Sequence, residues 1–147
     1  MRVQIYSRER IEQLIAEGGF PKNTAVISFC DCGTEPRSRV DYSSVCNRIM
    51  YIELDDLDPE DLDDYDAFFP EAYEAAEFIV EACTDGMNII CQCEYGQSRS
   101  AGCAAAIMEH FYRTGINIFK DYSYYPNKVV YNKIFDSLQM ISSDTGD

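Results

Sequence analysis

A cysteine and an arginine six positions apart could carry out nucleophilic chemistry on a phosphate ester. Cys93 and Arg99 flank a short segment that contains Gly96, and Ser100 follows the arginine directly. A thiolate is a strong nucleophile, and the planar guanidinium of an arginine can bind two phosphate oxygens at once. In a chain with seven cysteines this spacing also arises by chance, so the surrounding residues must decide its meaning.

The residues on both sides of this segment predict an anion-binding loop. Ile89, Ile90 and Cys91 form a short apolar run that is typical of a buried strand, and the small residues from Ala101 onward favour a helix that begins at Arg99. A strand, a glycine-containing loop and a helix N-terminus can direct several backbone N–H groups at one anion. The predicted phosphate-binding residues are Glu94, Tyr95, Gly96, Gln97, Ser98 and Arg99.

The same surroundings favour a stabilised thiolate at Cys93, because the positive end of a helix and a nearby guanidinium both attract negative charge. The alternative interpretation is a buried structural cysteine followed by an unrelated surface arginine. The apolar strand, the glycine, the hydroxyl of Ser100 and the small-residue helix all occur together here, which favours the phosphate-binding interpretation.

The segment resembles the active-site loop of the cysteine-dependent protein tyrosine phosphatases, most closely that of the small dual-specificity phosphatases. That family carries His-Cys, five residues and Arg-Ser/Thr between a core strand and a helix. Cys93, Gly96, Arg99 and Ser100 match this pattern, whereas Gln92 stands where the family has histidine. Two further stretches look like the same family, residues 68–72 and the dipeptide at 126–127.

The resemblance implies an α/β fold of three layers, with a mainly parallel sheet of about four strands in the order 1-4-2-3. It also implies hydrolysis of phosphotyrosine in proteins, and of phosphoserine and phosphothreonine as further substrates, through a cysteinyl-phosphate intermediate. Cys93 would then be the nucleophile, Arg99 would hold the phosphoryl oxygens, and Ser100 would donate a hydrogen bond to the sulfur.

The resemblance further implies a general acid, supplied by an aspartate just past a core strand. Alignment of the strand that ends near Leu54 places this acid at Asp56. Asp58 and Asp55 remain alternatives, because the sequence does not fix the length of the loop. The many neighbouring carboxylates predict a mildly acidic pH optimum.

Two other classes of protein remain open. A phosphate-binding interaction module without turnover would also keep the loop, and Gln92 favours it slightly. An arsenate reductase or a sulfur transferase would use a similar cysteine loop, but a small arsenate reductase would carry it near the amino terminus rather than at position 93.

The elements that must position these residues follow from the apolar periodicity. Strands are expected over residues 2–6, 24–30 and 48–54, and a fourth directly before Cys93. Helices are expected over residues 7–17, 68–83 and 100–113. A last helix should begin at residue 126 and give way to a polar, frayed tail at residue 142. Such alternation is typical of a parallel sheet with helices on both faces. Residues 1–147 are therefore predicted to form a single catalytic domain.

The composition limits the partners. A net charge of −14 argues against nucleic acids and anionic membranes. The resemblance implies a phosphorylated protein or peptide as the substrate, and we expect a monomer. The cysteines form no metal-binding pattern, and no metal or cofactor is expected. Seven cysteines without a regular framework favour reduced thiols and therefore a cytoplasmic protein. On oxidation, Cys91 or Cys46 could protect Cys93 by forming a disulfide with it.

Overall fold

The computed structural model describes residues 1–57, 65 and 67–144, with no side-chain description for residues 143 and 144. Its centre is a parallel sheet of four strands, β1 (Val3–Ser7), β2 (Thr24–Cys30), β3 (Ile49–Glu53) and β4 (Asn88–Cys93). The strands lie in the order β1-β4-β2-β3. The predicted fold class and strand order are thus confirmed.

The helices follow the strands in the expected alternation. They are α1 (Arg8–Ala16), α2 (Ala72–Thr84), α3 (Arg99–Tyr112), α4 (Ile116–Phe119) and α5 (Lys128–Asp144), with a short 3-10 turn at Pro36–Ser38. None of the helices in the described residues is both long and apolar enough to cross a membrane.

The sheet is buried on both faces, which explains why β2 is apolar at nearly every position. Ala25, Ile27 and Phe29 pack in the larger core with α2, α3 and α5. Val26 faces the opposite side and packs against α1 and against a loop that contains Tyr42. Because side chains alternate along a strand, Cys93 on β4 belongs to the larger core and its neighbour Gln92 points to the smaller one.

Several helix ends differ from the prediction, most of all the start of α2, which lies at Ala72 rather than at residue 68. Helix α3 ends at Tyr112, one residue before its predicted bound, and Arg113 caps it in a left-handed conformation with φ of 58°. Helix α5 continues through Asp144 instead of fraying from Ser142. The hydroxyl of Ser142 lies 3.3 Å from Nε2 of His110 on α3, and this contact accompanies the extra turn.

Candidate functional site

The predicted loop joins the last residue of β4 to the first residue of α3 at the carboxyl edge of the sheet. Gly96 sits in the loop with φ of +67°. A Cβ atom at this position would lie 2.6 Å from the backbone nitrogen of Ser7, so only glycine fits against the end of β1. The carbonyl of Glu94 accepts a hydrogen bond of 3.1 Å from the backbone of Arg8, which fixes the other side of the loop.

Backbone carbonyls of the loop accept hydrogen bonds from residues outside the loop. Those of Gln97 and Ser98 accept hydrogen bonds from the backbone nitrogens of Tyr125 at 2.7 Å, Asn127 at 3.0 Å and Gly102 at 2.8 Å. The backbone N–H groups of residues 94–98, in contrast, donate to no acceptor in the part of the chain that the structure describes. A loop whose successive N–H groups are left without protein acceptors can hold an anion.

Cys93 lies at the floor of this loop with 2% of its surface exposed. Its Sγ is 3.0 Å from Oγ of Ser100, and either atom could be the donor. Cys91 lies two residues earlier on the same face, fully buried. A hydrogen bond with Cys103, together with burial, raises the pKa of the Cys91 thiol well above its ordinary value. Cys91 therefore stays protonated, and Cys93 is the thiol that borders the cavity.

The guanidinium of Arg99 is held by the ends of two other strands. Its Nη1 donates to the carbonyl of Leu54 at 2.6 Å and to Oδ1 of Asp31 at 2.8 Å. Its Nε is buried and has no partner among the described residues. Arg99 thus keeps a donor that no described residue uses, and its side chain borders the cavity.

The structure separates two of the three candidate acids, Asp56 and Asp55. Asp56 borders the same cavity as Cys93, and its Oδ1 accepts hydrogen bonds from Oγ of Ser98 at 2.7 Å and from Nδ2 of Asn127 at 2.8 Å. Asp55 turns away, and its Oδ1 accepts a hydrogen bond of 3.0 Å from the backbone of Cys32. Asp58 lies outside the described residues. Among the described candidates, only Asp56 faces the cavity.

Together these residues enclose a cavity of about 230 Å³ at the carboxyl ends of the strands. Its walls are formed by Asp56, Cys93, Tyr95, Gln97, Ser98, Arg99 and Tyr125. A thiol at the floor, a guanidinium at one side and a carboxylate at the rim form a set of groups that can bind and attack a phosphoryl group.

The sequence analysis missed the roles of Asp31 and Asn127 in arranging this site. Asp31 directly follows the buried strand β2, and the ends of parallel strands share one edge, so its position was a usable signal. Asn127 is the residue before α5; its Oδ1 accepts a hydrogen bond of 3.0 Å from the backbone of Val130, while Nδ2 reaches Asp56. The same side chain therefore caps a helix and holds the candidate acid.

Gln92, which replaces the family's histidine, has a defined set of partners. Its Oε1 accepts hydrogen bonds from the hydroxyls of Ser28 at 2.5 Å and Tyr42 at 2.8 Å. Its Nε2 lies 3.1 Å from the carbonyl oxygen of Cys93 and donates to it. The side chain thus supports the backbone of Cys93 without carrying a charge.

The structure separates Cys46 from Cys93. The thiol of Cys46 donates to the carbonyl of Thr24, the first residue of β2, at 3.1 Å. Thr24 lies opposite Asn88 at the start of β4, whereas Cys93 ends that strand, roughly 16 Å further along. A disulfide between Cys46 and Cys93 is therefore incompatible with this fold.

Comparison with known proteins finds likeness at the level of structure. No protein-family model and no curated protein matches the sequence. Human DUSP28 is 12% identical with a TM-score of 0.57, and the match covers 97% of this chain and 94% of that one. PTPMT1 is 13% identical with a TM-score of 0.51, and the match covers 99% and 94% of the two chains.

A third solved structure is the human tyrosine phosphatase-like serine/threonine/tyrosine-interacting protein. It is 14% identical with a TM-score of 0.55, and the match covers 96% of this chain and 87% of that one. These likenesses show that the chain has the fold of the small dual-specificity phosphatases.

Proposed function

We propose that this protein hydrolyses phosphomonoesters, with phosphotyrosine in proteins as the principal substrate, through a covalent phosphate on Cys93. One observation carries the proposal: the Cys93 thiol and the Arg99 guanidinium border a single cavity, beside loop amides that have no acceptor among residues 1–57, 65 and 67–144. A phosphoryl group needs both a nucleophile and donors for its three equatorial oxygens, and this arrangement offers both.

In the first step the Cys93 thiolate attacks phosphorus, a bond forms between sulfur and phosphorus, and the bond to the leaving oxygen breaks. The loop amides and Arg99 bind the three equatorial oxygens through the transition state. Asp56, at the rim of the cavity, gives its proton to the departing oxygen. The product is an alcohol or phenol and a cysteinyl phosphate.

In the second step a water molecule attacks the phosphorus and gives its proton to Asp56, now a carboxylate. The bond between sulfur and phosphorus breaks, and inorganic phosphate and the thiolate are released. The hydroxyl of Ser100, 3.0 Å from the sulfur, donates to the developing negative charge and makes the thiolate a better leaving group.

The site also supports Asp56 as the acid in preference to Asp55, whose carboxylate is engaged by the backbone of Cys32 on another loop. Asp58 remains an alternative that lies beyond the described residues. The expected substrate is a phosphorylated protein or peptide, since one phosphate is enough to fill the loop and the net charge of −14 disfavours polyanions.

Pre-steady-state kinetics with substrate in excess over the enzyme test the nucleophile. The parent should release a stoichiometric burst of phenol from an aryl phosphate, and Cys93→Ser should release none. Cys32→Ser is the matched control, because Cys32 is exposed and does not border the cavity. If the parent gives no turnover but still binds vanadate, the hydrolase proposal is wrong and the protein is a phosphate-binding module.

The dependence on the leaving group tests the acid. Asp56→Asn should slow the hydrolysis of phenyl phosphate by about 10²–10⁴-fold. An activated aryl phosphate, whose leaving group needs little protonation, should be affected much less. An equal loss on both substrates would exclude Asp56 as the acid, and Asp58→Asn should then show the difference.

A further inference from the structure

Two tyrosine side chains, Tyr95 and Tyr125, border the Cys93 cavity. Tyr95 also borders a groove of about 690 Å³ next to α1, whereas Tyr125 also borders a groove of about 500 Å³ next to the start of α5. Helix α1 packs on one face of the sheet and α5 on the other. The cavity therefore lies between the two tyrosines, and each ring separates it from a neighbouring groove.

Both rings are available for contact. Tyr95 is 77% exposed and Tyr125 is 72% exposed. Neither ring packs against another aromatic ring in the described part of the chain, although six other ring pairs occur there. Large aromatic surfaces that stay uncovered at the mouth of a cavity are available to a planar apolar group.

The backbones beneath these rings are fixed. The backbone nitrogen of Tyr125 donates to Gln97 in the loop at 2.7 Å. Tyr95 lies between Glu94, whose carbonyl is bonded to Arg8, and Gly96, which has no space to move toward Ser7. The backbone positions of the two tyrosines are therefore set by the same contacts that shape the loop.

We infer that Tyr95 and Tyr125 form a clamp for the phenyl ring of phosphotyrosine, and that this clamp makes the protein selective for phosphotyrosine over phosphoserine and phosphothreonine. The inference rests on the proposed function, because the ring is placed by the phosphate bound at Cys93. The thiol is only 2% exposed at the floor, so a phosphate on a long aryl arm reaches it while the arm passes between the two rings. A serine arm is shorter and has no flat surface to cover them.

The test compares two peptides of one sequence that carry either phosphotyrosine or phosphoserine. Affinities are measured in a Cys93→Ser background, in which the peptide is bound without being consumed. Tyr95→Ala and Tyr125→Ala should each weaken phosphotyrosine binding about fivefold and leave phosphoserine binding nearly unchanged. Tyr95→Phe and Tyr125→Phe should bind as the background does, since the ring face rather than the hydroxyl makes the contact.

Tyr122→Ala is the matched control, because Tyr122 is 96% exposed in the same segment and does not border the cavity. The clamp is wrong if the alanine variants weaken both peptides equally, if they weaken neither, or if the Cys93→Ser protein binds no phosphotyrosine peptide. Turnover of phenyl phosphate by the parent is measured in parallel. If the parent turns over phenyl phosphate but the alanine variants keep the parent's preference between the two peptides, only the clamp is wrong. If the clamp variants lose phosphotyrosine binding selectively but the parent shows no turnover, the hydrolase proposal is wrong and the clamp stands.

Discussion

Oδ1 of Asp31 lies 2.8 Å from Nη1 of Arg99 and joins the loop after β2 to the first residue of α3. The arginine side chain is 6% exposed and the aspartate side chain 67%. The carbonyl of Leu54 holds the same nitrogen at 2.6 Å. The guanidinium is therefore oriented by two strand ends before any phosphate arrives, which lowers the cost of ordering it during catalysis.

Asp31→Asn should lower kcat/KM on an aryl phosphate about three- to tenfold. The amide keeps an acceptor for Arg99 but loses the charge, and exposure of the aspartate to water limits the size of the effect. Asp85→Asn is the matched control, since Asp85 pairs with Arg48 on the surface, away from the cavity. Equal activity of the Asp31 variant and the parent would show that Leu54 alone orients the arginine.

Gly96 and Gly33 form a natural pair for testing the fit of the loop against β1. Both have positive φ, +67° and +85°, so alanine costs about 1–2 kcal/mol of backbone strain at either position. Only at Gly96 does the new Cβ meet another backbone, at 2.6 Å, whereas Gly33 has open space. Gly96→Ala should therefore lose about 1–3 kcal/mol more in the free energy of unfolding than Gly33→Ala.

Denaturant unfolding measures this difference, and vanadate binding provides a second readout. Gly96→Ala should weaken vanadate binding as well, because the loop must move away from Ser7 to accept the methyl group. Equal unfolding free energies for the two variants would mean that the loop adjusts at no cost.

Gln92 should contribute to stability because its Oε1 accepts hydrogen bonds from two buried hydroxyls. Gln92→Leu leaves the hydroxyls of Tyr42 and Ser28 without their acceptor, and we expect the free energy of unfolding to fall by about 2 kcal/mol. In a Tyr42→Phe background the same substitution should cost less, because one of the two stranded donors is already gone. Additive losses in this double-mutant cycle would contradict the coupling.

Tyr42 should make the protein sensitive to alkali. Burial raises the pKa of the Tyr42 hydroxyl, whereas a tyrosine in the unfolded chain ionises near pH 10. Above that pH the unfolded state binds fewer protons than the folded state, so the contribution is complete below about pH 10 and declines as the pH rises. Tyr42→Phe should reduce the slope of stability against pH between about pH 10 and 11 by up to about 1.4 kcal/mol per unit.

Unfolding curves at a series of pH values measure this slope. Tyr51 and Tyr131 also have raised pKa values from burial, so the Tyr42→Phe variant keeps part of the alkaline decline. A slope equal to that of the parent would show that Tyr42 does not ionise on unfolding in this range.

Local signals account for what the sequence predicted well. The bounds of β2 match because a run that is apolar on both faces has no other stable arrangement than a central strand. Cys93, Arg99 and Ser100 lie within eight positions, so one strand and one helix place them together. Their convergence follows from neighbouring residues alone.

Contacts between distant segments account for what the sequence could not supply. Asn127 reaches Asp56 only because α5 begins beside the loop after β3, and no short pattern encodes that approach. Helix α3 ends within one residue of its predicted bound, but the sequence did not indicate that Arg113 would adopt the left-handed conformation that usually indicates glycine. The choice between Asp56 and Asp55 likewise depends on which side chain finds a partner elsewhere, here Cys32.

The position of β1 has a consequence for how the protein folds. Within the described residues this edge strand pairs only with β4, where Val3 lies opposite Ile89 and Ser7 opposite Cys93. Strand β1 leaves the ribosome well before β4 and must wait for it, and pairings of such long sequence separation form slowly. Because Gly96 rests on Ser7, the phosphate loop takes its final shape only when the two ends of this long chain segment meet, late in folding.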